Sequence, residues 1–220
     1  MPLPMVHLAI AYQVHQHANL ALTPGFVLGS LSPDAIHMRP NTDRSDKDRV
    51  HLGVTALSEP EALARIRSLL DESQQAGNGF DPFAQGYAGH LITDYLWLQD
   101  IGKPFFQQIP ETASPEERRA WYYRETDQVD FNLYNHAPWR ASVWELLASA
   151  DALEFPPHLS AGEIDQWRLR TLIWFHKTKQ EPGIVPEIIT DRVVADFIAD
   201  AARRVQSMIS IGDGQRPDDC

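Results

Sequence analysis

The chain of 220 residues is nearly devoid of cysteine. Its single one is Cys220, so an intramolecular disulfide and a thiolate-based zinc site are both excluded, and any metal must be held by His and carboxylate. Basic charge is also scarce: 19 Lys and Arg stand against 30 Asp and Glu, a formal net charge of −11. Neutralising many phosphates needs clustered Lys and Arg, so no broad nucleic-acid surface is expected. That charge still admits a small phosphate-containing substrate held in a metal site. No segment approaches the roughly 20 apolar residues of a membrane span. The stretch Met1-Pro-Leu-Pro-Met-Val-His7 has no basic region and no long apolar run. A signal peptide is therefore not expected, and a cytoplasmic location is. Strand-like alternation, internal repeats and linkers are missing as well.

What is present is helical patterning. Hydrophobic residues make up 43% and charged residues 22%, values that suit one globular domain with a real core. Helices are expected over Pro4 to Leu22, Glu59 to Gln75 (stopped by Gly77-Asn-Gly79), about Asp81 to Ile101 (ended by Gly102-Lys-Pro104), Ser114 to Tyr134, Trp139 to Leu153, Ser160 to Lys179 and Val185 to Ile211. Phe26 to Leu31 reads as a short apolar piece before a Ser-Pro-Asp34 turn, and Met38 to Arg49 as a polar surface loop. The expected architecture is all-α, a single-domain bundle of about seven helices over residues 1–211, with a flexible tail over 212–220.

The third of these helices carries the most informative chemistry. Phe83, Tyr87, Leu91 and Tyr95 recur at helical spacing, and Ala84, Ala88 and Ile92 extend the apolar surface around the helix, which marks it as a core element. His90 and Asp94 sit four residues apart on one of its faces. A buried carboxylate needs a cation, a metal or several donors. Two readings are open for the pair: a divalent metal site, or a His–Asp hydrogen bond that satisfies itself in the core. Four other positions add to it or stay apart. His7 and His15 share a face of the first helix, Asp34 has the ordinary reading of a turn cap, and His51 lies between Val50 and Leu52 and is expected to point inward. His15 and His17 are expected to be solvated or satisfied core residues, His37 and His136 to be at the surface, and His176 to be a satisfied core histidine. Trp121, Tyr122, Tyr123, Trp139 and Trp144 are candidates for a pocket wall, with simple core packing as the alternative.

In order, His7, Gly29-Ser-Leu-Ser-Pro-Asp34, His51 and Gly89-His90-x-x-x-Asp94 resemble the bacterial zinc-dependent phospholipase C family, which is related to S1/P1-type nucleases. The resemblance covers residues 1 to about 100. It implies a helical bundle around one to three zinc ions and hydrolysis of a phosphoester bond, as in a phosphodiesterase. It further implies that Asp34, His51, His90 and Asp94 form one zinc site, that His7 holds a neighbouring ion bridged by Asp94, and that Asp34 is the catalytic general base. Where the family has a histidine six residues after the motif aspartate, this chain has Asp100. Where it has a His-x-x-x-Glu pair, this chain has Asp127 and Asp130 nearby. Those carboxylates would suit Mg, Mn, Fe or Ca as well as zinc at a second site. The expected function is a metal-dependent hydrolase acting on a small phosphoester. The alternative is a helical protein with a structural or vestigial metal site and no catalysis.

Overall fold

The computed structural model describes residues 2–76 and 81–209, which places the Gly77-Asn-Gly79 stop and the 212–220 tail outside the described residues. The described chain is helical, with one isolated bridge between Phe155 and Leu159 and no strand. It contains ten α-helices where seven were expected. They are α1 (Pro4–Ala18), α2 (Pro24–Gly29), α3 (Arg44–Val50), α4 (Glu59–Ala76), α5 (Pro82–Trp97), α6 (Lys103–Gln108), α7 (Pro115–His136), α8 (Arg140–Ser149), α9 (Ala161–Ile173) and α10 (Asp191–Ile209). None of them is long and apolar enough to cross a membrane.

The extra helices are short, and each has a local cause. The presumed polar loop contains α3, whose start is a capping box in which Asp43 and Asp46 each accept from the other's backbone N–H. The apolar piece before Asp34 is α2, capped by Thr23 and followed by a 3-10 turn over Ser32–Met38. Gly102-Lys-Pro104 does not end the third expected helix. A wide π turn over Leu98–Gly102 passes into α6, where Pro104 occupies an early position that needs no intrahelical N–H bond. The first helix stops at Ala18 because Asn19 adopts a left-handed conformation, φ 52°. The last begins at Asp191 rather than Val185, because side chains of α7 take up the backbone preceding it. Glu125 accepts the N–H groups of Glu187, Ile188 and Ile189, and Gln128 accepts that of Ile184. Those amides cannot also serve a helix.

Helix α5 runs through the middle and packs on α1, α2, α4, α10 and the 3-10 turn. Its crossing with α2 is backbone against backbone. A Cβ added to Gly29 would collide with the Phe83 carbonyl oxygen, and one added to Gly86 with that of Phe26. Two glycines thus let two backbones touch, and Ser30, just past the crossing, lies against His90. Helix α1 is tied to α7 by buried Asp130, whose Oδ1 accepts the Met5 N–H at 2.8 Å. Burial, with the Asp127 charge adding, raises the Asp130 pKa well above the usual carboxylate range.

The crossing is directly testable. Gly86→Ala should destabilise the protein by about 3 kcal/mol or more in urea denaturation, because backbone must move. Gly89→Ala, whose Cβ would meet Val205 at an ordinary 3.5 Å, should cost less than about 1 kcal/mol.

Candidate metal centre

Four elements deliver five side chains to one place: His7 from α1, Asp34 from the 3-10 turn, His51 from the C-cap of α3, and His90 and Asp94 from α5. The imidazoles are aimed from behind. His90 Nδ1 bonds the Ser30 carbonyl at 2.9 Å, and His51 Nδ1 bonds the Lys47 carbonyl at 3.1 Å. Both Nε2 atoms are thereby turned toward the carboxylates, the arrangement that orients metal-binding histidines. Tyr87, one turn before His90, donates to the Val50 carbonyl at 2.6 Å and fixes the backbone beside His51. The His7 ring stacks on that of His90 with centroids 3.9 Å apart.

Nε2 of His90 and of His51 lie 3.6 and 3.7 Å from Asp94 Oδ2, His7 Nε2 lies 3.6 Å from Asp94 Oδ1, and His51 Nε2 lies 3.5 Å from Asp34 Oδ1. The two oxygens of Asp94 are therefore shared out, one facing His51 and His90, the other facing His7. A His–Asp hydrogen bond spans about 2.7–3.2 Å, so these contacts are too long for a pair that satisfies itself. Ligands held about 2.1 Å from one tetrahedral ion sit about 3.4 Å apart, which is close to the spacing seen. Both Asp94 oxygens, both His7 nitrogens, Asp34 Oδ1 and the Nε2 atoms of His51 and His90 are buried without a hydrogen-bond partner. Orphaned buried polar atoms are costly, and a divalent ion would satisfy several together. Two triads, His7–His90–Asp94 and Asp34–His51–His90, each bring ligand atoms within 4.8 Å of one another. The donor set of nitrogen and oxygen fits zinc and tolerates other divalent ions.

The electrostatics favour the ligand-competent forms of Asp34, Asp94 and His7, and hold His90 toward its protonated form until an ion displaces the proton. Burial alone would raise the pKa values of both carboxyls, but the facing imidazoles outweigh it. His51 and His90 hold Asp34 far below the usual range, and His90 followed by His7 and His51 holds Asp94 at about 2. Burial, reinforced by His90 and opposed by the two carboxylates, lowers His7 to about 3 and keeps it neutral. His90 shifts upward instead, the charges of Asp94 and Asp34 prevailing over burial.

The remaining sequence candidates lie elsewhere. Asp100 pairs with Arg204 at 3.3 Å, Asp127 with Lys179 at 2.7 Å, and Asp130 serves Met5. His15 is buried, with Nδ1 on the Ala11 carbonyl and its ring edge against Phe26, while His17 and His136 are exposed. His176 bonds the Tyr134 hydroxyl at 2.6 Å but is exposed rather than in the core. Tyr122 and Tyr123 line a cavity of about 580 Å³ that Asp94 also borders, whereas Trp139 and Trp144 pack on Tyr12 and Tyr134. The orienting carbonyls of Ser30 and Lys47 left no trace in the sequence, since any residue type supplies a carbonyl. Comparison of the chain with protein-family models, curated proteins and solved structures finds no match.

A base whose folded-state pKa is lowered binds fewer protons folded than unfolded. For His7 that interval runs from about 6.5 down to about 3, so it removes stability as pH falls through that window. The raised His90 pKa acts in the opposite sense and offsets part of this. Metal-free protein should therefore lose stability, on the order of a few kcal/mol, as pH falls below about 6.5. In pH-dependent urea denaturation, His7→Gln should flatten that slope; an unchanged slope would contradict the assignment.

Proposed function

We propose that the chain is a metal-dependent hydrolase of a phosphoester bond, with zinc the best-fitting ion and a fold akin to that of the bacterial zinc-dependent phospholipase C family. The observation that carries this reading is the set of seven buried, unpartnered polar atoms on His7, Asp34, His51, His90 and Asp94. His51, His90, Asp34 and Asp94 Oδ2 would hold one ion, and His7 with Asp94 Oδ1 would hold a neighbour. The ordered resemblance to that family supports the same set. A divalent ion bound there supplies Lewis acidity, acidifying water and neutralising charge on phosphoryl oxygens.

The residues divide the remaining work. Asp34 is the most accessible of the five, its side chain 14% exposed, and it borders a second cavity of about 190 Å³. It is the candidate general base, held ionised by His51 and His90. Asp94 also borders the larger cavity beside Tyr122 and Arg118, but both its oxygens are buried, so the opening onto the centre lies on the Asp34 side. A second reading, a structural ion without catalysis, draws on one observation: Asp100 and Asp127, the carboxylates that would complete a further site, are neutralised by Arg204 and Lys179.

Turnover separates the two. Zinc-loaded protein should hydrolyse a chromogenic phosphodiester or phosphomonoester, and Asp34→Asn should lower the rate at least about a hundredfold while the circular dichroism spectrum is unchanged. A tightly held ion with no turnover across a broad phosphoester panel would instead establish the structural reading.

A further inference from the structure

Beside Asp34, the 190 Å³ cavity gathers basic and aromatic side chains: His37, Lys47, Trp167, Arg170 and Trp174. Lys47 Nζ lies 3.4 Å from His37 Nε2, and that nitrogen lies 3.9 Å from Asp34 Oδ1. The Arg170 guanidinium lies over two indole rings, 5.5 Å from the centroid of Trp167 and 5.0 Å from that of Trp174. Among the described residues neither Lys47 nor Arg170 has an ion-pair partner. Arg170 Nε and Trp167 Nε1 are moreover buried with no acceptor.

Contact with two indole faces explains how the guanidinium is held in place. It does not explain two buried N–H donors left without acceptors, which is costly in a finished structure. Nor does it explain two unpaired cations converging on one small cavity in a chain of net charge −11. An anion with several oxygens would satisfy both, and arginine's planar fork suits a phosphoryl group in particular.

We propose that Lys47 and Arg170, with His37 and the Trp167 indole, form a binding pocket for the dianionic phosphoryl group of a phosphomonoester, placed next to Asp34. Lys47 and Arg170 outnumber the one carboxylate of the pocket wall, Asp34, and attract a phosphomonoester dianion more strongly than a singly charged diester. Tyr123 borders this pocket as well as the larger cavity and offers the ester's organic part an aromatic wall. The pocket's role in catalysis rests on the hydrolase reading; its affinity for phosphate does not.

Isothermal titration of the full chain with inorganic phosphate tests it, in metal-free and zinc-loaded forms, at a pH where phosphate is a dianion. Phosphate should bind, and Lys47→Gln and Arg170→Gln should each weaken it at least about tenfold, with Lys47→Arg retaining most of the affinity. Dimethyl phosphate, with its single charge, should bind at least about tenfold more weakly than phosphate. Co-sedimentation with phosphatidate vesicles, lost in the same variants, would assign the phosphoryl group to a lipid headgroup; phosphate binding without co-sedimentation assigns it to a soluble ester. Variants that fold as the parent does and bind phosphate equally well would overturn the pocket, as would equal binding of dimethyl phosphate. Turnover that coexists with variant-insensitive phosphate binding sinks the pocket alone, and variant-sensitive binding without turnover sinks the hydrolase reading alone.

Discussion

The arrangement turns on a single carboxylate. Asp94 is 1% exposed, in the middle of a helix buried on nearly every side, and among the described residues no lysine, arginine or backbone amide reaches it. Its surroundings are three imidazoles, each turned toward it yet none close enough for a hydrogen bond. A folded chain does not keep such a group without compensation. The spacing of its neighbours leaves room for a compensating ion between side chains rather than on one of them.

The rest of the fold can be understood as holding those imidazoles at that distance. The glycine crossing of α2 and α5 presses the Ser30 carbonyl onto His90, and the Tyr87 hydroxyl fixes the backbone beside His51. Asp130 anchors the start of α1 two residues before His7. On α7, Glu125 and Gln128 gather the backbone of 184–189 and set where α10 begins its path against α1. Each device fixes backbone rather than side chain, so the site is positioned by rigid elements and not by loops.

Much of this was legible in the order of residues, and the failures have physical reasons. The apolar surround of α5 announced a buried helix, and His90 with Asp94 on one face marked a candidate site, with a self-satisfied His–Asp pair as the other reading. The all-α class followed from periodicity, but the helix count did not. Helices α2, α3 and α6 are too short for a periodic signal and owe their existence to caps and a π turn. Asp100, Asp127 and Asp130 have the right chemistry for ligands. Their partners Arg204, Lys179 and the Met5 amide lie 104, 52 and 125 positions away, beyond any local pattern. Lys47 and Arg170 are likewise brought together by packing alone, although Trp167, Arg170 and Trp174 do share one helical face.

The central claim is that the five side chains bind a divalent ion. Crystals of zinc-loaded protein, with diffraction recorded on both sides of the zinc absorption edge, address it most directly. An anomalous peak enclosed by His51, His90, Asp34 and Asp94, weakened or lost in His90→Ala, is the result this account predicts. No peak there, with His90 and Asp94 drawn into a direct hydrogen bond in a well-folded protein, would contradict it.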